Sequence, residues 1–392
     1  MTGETNHMAA ISPAVQAANT LTARWCTRLG AEDFVLSGAG LWPLLALLAS
    51  AADEQAGAEL AAALGRPVDT AQQEALELID VLRTGVSTTA ALGLWTRYGV
   101  ALREEWSSGL PAGVVGTLTD QAALDQWASD ETGGLIDKFP LELTPDTLLI
   151  LASALTARVK WREPFKGQPR NEYLSWDDPG EPSEQWLSRR TYDLGIAAVL
   201  DGTVTRVVVE GDGDVDVHLL LGEQQPAEVL AVGLRELSGE AQVCLATELD
   251  GDGPGLTVER VPFSEPDDMV CLALPSFEIT AKHDLMEHVD LFGLRSLTDL
   301  LIPHLPLLSP DPLSVSAGAQ SVLARFFAEG FEAAAVTAFG AIATGGMPRE
   351  RYEITYVEVT FDRPFGFIAV HRPSRLAVVA GWVSSPFEAG QA

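Results

Sequence analysis

The chain has 392 residues, 47% of them hydrophobic, and its 55 acidic and 25 basic side chains give a net charge of −30. Such a composition supports a large packed core and excludes extended disorder. The acidic surface repels nucleic acid and anionic membranes, so we expect neither of them as a partner.

The N-terminal third is predicted to be mainly helical. Apolar periodicity and helix-stop residues indicate helical segments, at 14–29, 41–48, 53–65 and 120–130, and glycines at 65 and 133–134 act as stops. A strand is predicted at 92–98. The apolar stretch 148–161, bounded by prolines, is typical of a buried central strand.

After residue 164, short apolar runs alternate with Gly, Asp and Pro turns, which predicts antiparallel sheet. The predicted strands are 204–210, 215–221, 255–260, 270–273, 321–327, 356–361, 365–370 and 376–383. A helical insert is predicted at 282–291. The predicted helices come first and the strands follow, with no domain boundary between them. This order predicts one α+β domain at 15–386, with short tails at 1–14 and 387–392.

The start of the chain and its cysteines bear on the compartment. The first 16 residues have neither the basic nor the apolar part of a secretory signal, and no apolar run reaches the roughly 18 residues that cross a bilayer. The three cysteines are too few for a disulfide framework. A cytoplasmic location with reduced thiols is therefore expected.

Three weaker patterns are interpreted as structural. The acidic run 212–223 has the carboxylate spacing of a calcium loop, but Val217 stands where that loop needs Gly, which favours a turn that leads into a strand. His283 and His288 have no partner Glu and are expected at the surface. No nucleophile elbow, phosphate loop or metal-spaced cysteines occur. We therefore expect no enzyme activity, no cofactor and no metal.

Residues 329–338, Glu-Gly-Phe-Glu-Ala-Ala-Ala-Val-Thr-Ala, are mostly small and include no proline. Small residues are easily exposed and easily buried. The segment therefore suits a solvent-exposed loop in one state and a strand in another, which predicts a function that depends on movement of the chain.

Several blocks, through their order and spacing, together resemble the serpin family. They are Phe34 to Trp42, Trp127 to Lys138, Lys160 to Phe165, Leu274 to Ile279, Phe361 to Phe365 and Gly381 to Pro386. The resemblance covers residues 15–386, and we expect a serpin of bacterial type.

This resemblance implies a fold of three β-sheets and about nine helices with an exposed reactive-centre loop. It also implies a monomeric inhibitor whose partner is a serine protease. The protease cleaves the loop, and the loop then inserts into the central sheet before the acyl-enzyme is hydrolysed. Family membership leaves an extracellular location open.

By the same resemblance, the loop hinge comprises Glu329, Gly330, Phe331, Glu332, Ala333, Ala334, Ala335 and Thr337. Side chains alternate along a strand, so on insertion the uncharged odd-numbered residues face the core and Glu332 stays in water. Insertion would add roughly ten backbone hydrogen bonds, each worth about 1 kcal/mol. That gain is expected to be sufficient to displace a bound protease.

Departures from the family pattern weigh against inhibition. Phe331 stands where inhibitors have a small residue, which is expected to slow the first step of insertion. In the shutter beneath the loop, Gly40, Ser153 and Gln320 stand where Ser, Asn and His are usual. Trp161 keeps its place in the breach, at the top of the central sheet. The alternative function is a non-inhibitory serpin fold that serves as a binding module.

The scissile bond is located by counting. The family spacing, 14 residues after Gly330, leads to Thr344-Gly345. Counting back from the C-terminal signature leads instead to the region of Glu353, and Arg349 and Arg351 would suit a trypsin-like protease. The forward count is preferred because the N-terminal side must insert as one strand. The Ile-Ala pair before that bond favours an elastase- or subtilisin-like target.

Overall fold

The computed structural model describes residues 11–168, 186–249, 251–331 and 352–385. Within these ranges there are eight α-helices: α1 Pro13–Cys26, α2 Gly38–Ala51, α3 Glu54–Leu64, α4 Val68–Arg83, α5 Glu104–Ser107, α6 Gln121–Thr132, α7 Pro226–Leu237 and α8 Val289–Phe292. None of them is long and apolar enough to cross a bilayer.

The same ranges contain nineteen strands. They are β1 Phe34–Leu36, β2 Thr88–Thr96, β3 Val115–Thr117, β4 Leu149–Ala157, β5 Val159–Lys160, β6 Lys166–Gln168, β7 Trp186–Thr191, β8 Ala197–Leu200, β9 Val204–Val209, β10 Val215–Gly222, β11 Val243–Leu245, β12 Leu256–Phe263, β13 Met269–Pro275, β14 Phe277–Asp284, β15 Ala319–Phe326, β16 Gly330–Phe331, β17 Tyr352–Thr360, β18 Phe365–His371 and β19 Leu376–Val383.

Local sequence signals set the ends of several helices. The Asp53 and Asp120 side chains accept hydrogen bonds from backbone N–H groups in the first turns of α3 and α6. Gly65 and Gly133 end the same two helices in the left-handed conformation, with φ of +67° and +60°. The predicted start and stop of both helices are therefore confirmed.

Other elements differ from the sequence-based expectation. Helices α4 and α7 and strands β7 and β8 were not predicted. The predicted helical insert at 282–291 is wrong at its start, because β14 runs to Asp284 and only Val289–Phe292 is α-helical. His283 is half-buried in that strand, where its Nε2 lies 2.8 Å from the Val35 carbonyl oxygen, so it is not a surface residue. Helix α1 begins at Pro13, two residues before the expected domain start.

The strands form four hydrogen-bonded sheets in the described ranges. The largest has the order β1-β19-β18-β10-β9-β8-β11 and packs against α1, α2 and α7, and the second has the order β12-β17-β13-β7-β6. The other two are β14-β15-β16-β5 and β3-β2-β4. Strand β4 continues directly into β5, so these last two sheets are halves of one larger sheet. The expected three-sheet architecture is therefore present with its central sheet divided.

A buried polar cluster connects α7 to the largest sheet. Arg206 of β9 bonds to Glu236 of α7 at 2.9 Å. His218 of β10 is buried beside them, and its Nδ1 lies 3.8 Å from Glu236 Oε2, too far for a hydrogen bond. Burial, and then the charge of Arg206, lower the pKa of His218 from 6.5 to about 3.

The depressed pKa of His218 predicts acid destabilisation. Because the native state binds fewer protons than the unfolded state, the stability contributed by neutral His218 is lost as the pH falls below 6.5 towards 3. Between pH 7 and pH 4.5 the loss should be about 2 to 3 kcal/mol. Urea unfolding at both pH values measures this loss. We expect His218→Asn to reduce the pH dependence of the unfolding free energy, and His288→Asn is the control. An equal change in unfolding free energy between the two pH values for wild type and His218→Asn would contradict the prediction.

Candidate functional site: an open gap in the central sheet

Within the described residues, the two halves of the central sheet are joined only where β4 continues into β5. In the described part of the chain, no hydrogen-bonded pairing connects β4 to β15. A groove lies between them, lined by residues of β4 between 153 and 157 and of β15 between 320 and 323. This groove is named the gap. Among the described residues, the edges of β4 and β15 that face the groove have no strand partner beyond the Phe326–Phe331 pair, which is the arrangement that accepts an additional strand.

The chain reaches the head of the gap at β16. There Phe331 pairs with Val159 of β5 on one side and with Phe326 of β15 on the other. Its side chain is 3% exposed, lines the gap and lies 6.3 Å from the ring of Phe367. Phe331 therefore faces the core, and its bulk is already accommodated in the sheet. We expected Phe331 to slow the first step of loop insertion, and that step comes before the paired arrangement seen here.

Trp161 lies at the breach, where the sequence places it. Its indole Nε1 donates to the Phe327 carbonyl at 2.8 Å, and its backbone N–H donates to the Glu329 carbonyl at 2.9 Å. Its ring also packs 4.8 Å from that of Phe326. One buried residue, through its side chain and its backbone, therefore holds the turn that leads from β15 into β16.

Arg189 lies under the breach and was not singled out from the sequence. It is 8% exposed, its guanidinium stacks 4.8 Å from the ring of Phe165, and it donates to the Glu163 carbonyl at 3.0 Å. Burial lowers its pKa. The alternation of side chains in β7 places Arg189 on the buried face. A charged residue is ordinarily expected at the surface, however, so nothing in the sequence indicated that Arg189 is buried.

The shutter residues meet at the N-terminus of α2. Gln320 of β15 makes two hydrogen bonds to the backbone of Ser37, accepting from its N–H and donating to its carbonyl, each at 2.9 Å. Ser153 of β4 donates to the Gly40 carbonyl at 2.5 Å. The two borders of the gap are thus fastened separately to one turn of helix.

Ser37 is the centre of this arrangement, and the sequence reasoning missed it. Its hydroxyl donates to the Val378 carbonyl at 2.6 Å and accepts from the Gly40 N–H at 3.0 Å. A serine directly before an apolar run is a helix-start signal that identifies such a residue. A Cβ on Gly40 would lie 3.5 Å from Gln320 Nε2 and 3.7 Å from Ser153 Oγ, so Gly40 lies directly between the two fasteners.

The acidic turn between β9 and β10 fastens the top of the sheet. The Asp212 N–H donates to the Lys160 carbonyl at 2.8 Å, and the Arg162 N–H donates to the Glu210 carbonyl at 3.0 Å. Asp214 accepts from two backbone N–H groups that precede β2, and although burial opposes them, these bonds lower its pKa. The acidic run does lead into a strand, as predicted. No group of three His, Cys, Asp or Glu side chains in the described ranges can hold a metal ion.

The remaining predicted site residues lie outside the described residues. They are Glu332, Ala333, Ala334, Ala335, Thr337, Thr344, Gly345, Arg349 and Arg351. The structure therefore brings together the breach, the shutter and the start of the hinge, namely Glu329, Gly330 and Phe331. The scissile bond stays a prediction.

Comparisons with known proteins agree with this geometry. The family profile described as Serpin (serine protease inhibitor) matches residues 16–178 and 258–386, which is more than half of the chain. Leukocyte elastase inhibitor of Bos taurus is 25% identical over 274 residues, which are 67% of this chain and 66% of that protein. A serine protease inhibitor of Cyanea capillata is 21% identical over 265 residues, which are 67% of this chain and 64% of that protein.

A solved structure shares the fold over nearly the whole chain. It is a thyroxine-binding globulin in complex with thyroxine, with a TM-score of 0.70, 16% identity, and coverage of 96% of this chain and 99% of that chain. The matched part of the chain spans slightly less than two thirds of the length of the curated relatives. The predicted fold is confirmed. Both curated relatives are animal proteins, so the bacterial type stays a prediction.

Proposed function

The chain belongs to the serpin family, and from this premise we propose that it is a suicide-substrate inhibitor of a serine endopeptidase. The observation that carries the proposal is the gap. Among the described residues, the edges of β4 and β15 that face it have no partner beyond the head of the gap, where the chain already enters as a paired strand at Gly330-Phe331. A strand that continues from Phe331 between β4 and β15 would satisfy both edges.

The proposed reaction begins as ordinary proteolysis. The protease serine attacks the carbonyl carbon of Thr344, the peptide bond to Gly345 breaks, and Gly345 leaves as a free amine. The serine is now joined to Thr344 through an ester. Hydrolysis of that ester would release the protease, so inhibition requires that insertion of 332–343 be faster than attack by water.

Insertion is favoured by the sequence of the hinge. From Phe331, whose side chain faces the core, alternation puts residues 333, 335 and 337 on the core face and Glu332 and Ala334 on the outer face. The inward set has no charge. The strand can therefore enter without burying an unpaired ion, which would oppose the hydrogen-bonding gain.

The target class follows from the scissile bond. Cleavage after Thr344, preceded by Ile342 and Ala343, suits an elastase- or subtilisin-like protease with a small or apolar primary pocket. The curated relative named leukocyte elastase inhibitor supports this choice. Cleavage after Arg349 or Arg351 would suit a trypsin-like protease instead.

A second candidate is a serpin fold that binds a ligand or partner without trapping a protease. It is favoured by the shutter, where Gly40, Ser153 and Gln320 depart from the family pattern. The shared fold of a thyroxine-binding globulin is consistent with such a use. This alternative predicts clean cleavage of the loop by every protease.

The deciding experiment mixes the intact chain with subtilisin, elastase or trypsin and separates the products on denaturing gels. We expect a covalent complex with subtilisin or elastase that survives boiling, because an ester joins the two chains. Thr344→Pro should suppress the complex, since it removes the preferred residue at the scissile bond. Cleavage of the loop by all three proteases without any complex would establish the second candidate.

A further inference from the structure

A short segment covers the gap on the side of α6. Residues 133–136, which follow α6 and are named the lid, include Leu135 and Ile136, and both side chains line the gap. Across the gap from them lie residues of both borders, such as Ser153 of β4 and Val322 of β15. A strand that enters between β4 and β15 therefore has to move the lid.

The body of α6 is packed on one half of the sheet. With Leu124 and Ala128 it forms a small apolar core of its own over β4, to which Trp95 and Trp127 contribute. The rings of Trp95 and Trp127 lie 4.9 Å apart. The helix is thus held by packing, to which Ile136 of the lid also contributes, and the lid is fastened in addition by hydrogen bonds.

Arg158 provides two of these bonds. Its guanidinium Nη2 donates to the Gly133 carbonyl at 2.8 Å and to the Thr132 carbonyl at 3.3 Å. The approach is close: a Cβ on Gly133 would lie 2.8 Å from that nitrogen, and the φ of +60° at Gly133 also favours glycine. The Thr132 hydroxyl adds a second fastening, because it accepts from the Ile136 N–H at 3.0 Å.

Arg158 also lies at the hinge point of the divided sheet. It is the residue between β4 and β5, and its backbone N–H donates to the Ser87 carbonyl at 2.8 Å. The next residue, Val159, pairs with Phe331 in the first rung of the predicted insertion. One residue therefore connects the lid, the point where the halves join and the start of the hinge.

We propose that Arg158 is a positioning residue that holds the lid over the gap and thereby sets the rate at which the cleaved loop inserts. The proposal rests on the proposed function, because it requires that insertion occur. Replacing Arg158 removes both of its bonds to the lid and leaves the residues that line the two borders of the gap unchanged. Insertion should then be faster, since the lid no longer has to be detached first.

The test uses the intact chain and the variants Arg158→Gln and Arg158→Lys. Hydrogen exchange followed by mass spectrometry first measures the lid in the uncleaved protein. We expect exchange at 133–136 to be about three- to tenfold faster in Arg158→Gln, the range of a hydrogen bond of ordinary net strength, because both Arg158 bonds are at least partly exposed to solvent. Arg158→Lys should be intermediate, because lysine still donates to the same carbonyls. Thr132→Val, which removes the second fastening, should loosen the lid independently.

The second measurement follows insertion. Each protein is cleaved with excess subtilisin at low temperature, and pulsed hydrogen exchange records how quickly β4 and β15 gain protection. Arg158→Gln should gain it about three- to tenfold faster than wild type. The matched control is Arg97→Gln, which also removes two arginine bonds to backbone carbonyls, those of Thr147 and Thr144 at 2.8 and 2.9 Å, away from the lid.

Three results would overturn parts of the scheme, and they are distinguishable. Equal lid exchange in wild type and Arg158→Gln would show that Arg158 does not hold the lid. A looser lid with an unchanged rate of protection would show that the lid does not limit insertion. No protection of β4 and β15 in any cleaved protein would remove the proposed function itself.

Discussion

Cleavage of the loop within 332–351 is expected to raise the midpoint of thermal unfolding by about 10 °C or more. If the strand inserts, roughly ten new backbone hydrogen bonds at about 1 kcal/mol each form along the edges of β4 and β15 that face the gap. With an unfolding entropy of about 2 cal/mol/K per residue, a gain of about 10 kcal/mol in a chain of 392 residues corresponds to that shift. Calorimetry of the intact and the nicked protein measures it.

A proline in the inserting segment is the control for this shift. Ala335→Pro removes one N–H donor and cannot lie in the interior of a sheet without breaking its ladder. The nicked variant should therefore gain clearly less than nicked wild type, while the two intact proteins unfold at similar temperatures. An identical midpoint before and after cleavage of wild type would mean that the loop does not enter the gap.

A charge on the inner face of the hinge is expected to abolish protease trapping. In Ala335→Arg the guanidinium would be carried into the core on insertion, at a cost of several kcal/mol for an unpaired ion. Insertion then becomes slower than hydrolysis of the acyl-enzyme. The variant should behave as a substrate, with a stoichiometry of inhibition at least about 100-fold higher than wild type, since 2.8 kcal/mol is a factor of about 100 in rate.

Ala334→Arg is the matched control, because it adds the same charge one residue away on the outer face. It should retain trapping within about a factor of three of wild type, a difference below 1 kcal/mol. Titration of a fixed amount of protease with each variant gives both values. Equal loss in the two variants would contradict the assignment of faces that begins at Phe331.

The alternation argument shows how much of the site was accessible from the sequence. Side chains alternate along any strand, and Glu332 is unfavourable inside a core, so the inner face was predictable before the structure was known. The burial of Phe331 agrees with that assignment. In contrast, Phe331 pairs on both sides because β5 and β15 lie next to it. The local sequence around Phe331 does not reveal which strands become its neighbours.

Some elements were missed although a signal was present. Helix α4 has buried residues at Ala71, Ala75, Leu78 and Leu82, which is helical spacing. The misplaced helix near 282 overlaps the strand periodicity of β14, where Phe277 and Ile279 alternate with exposed or half-exposed residues. The short strand β8 is buried throughout and therefore shows no periodicity that distinguishes a strand from a helix.

By itself, the sequence determined the family motifs in their order, most of the strands and the alternating small residues of the hinge. These depend on near neighbours, because propensity, caps and alternation act over a few residues. Only the tertiary structure decided that β4 and β15 are not paired with each other within the described residues, that Ser37 and Gly40 each bond to one border of the gap and that Arg158 donates to carbonyls at the end of α6. An open strand edge has the same local sequence as a paired one, and the difference lies in what the rest of the chain places beside it.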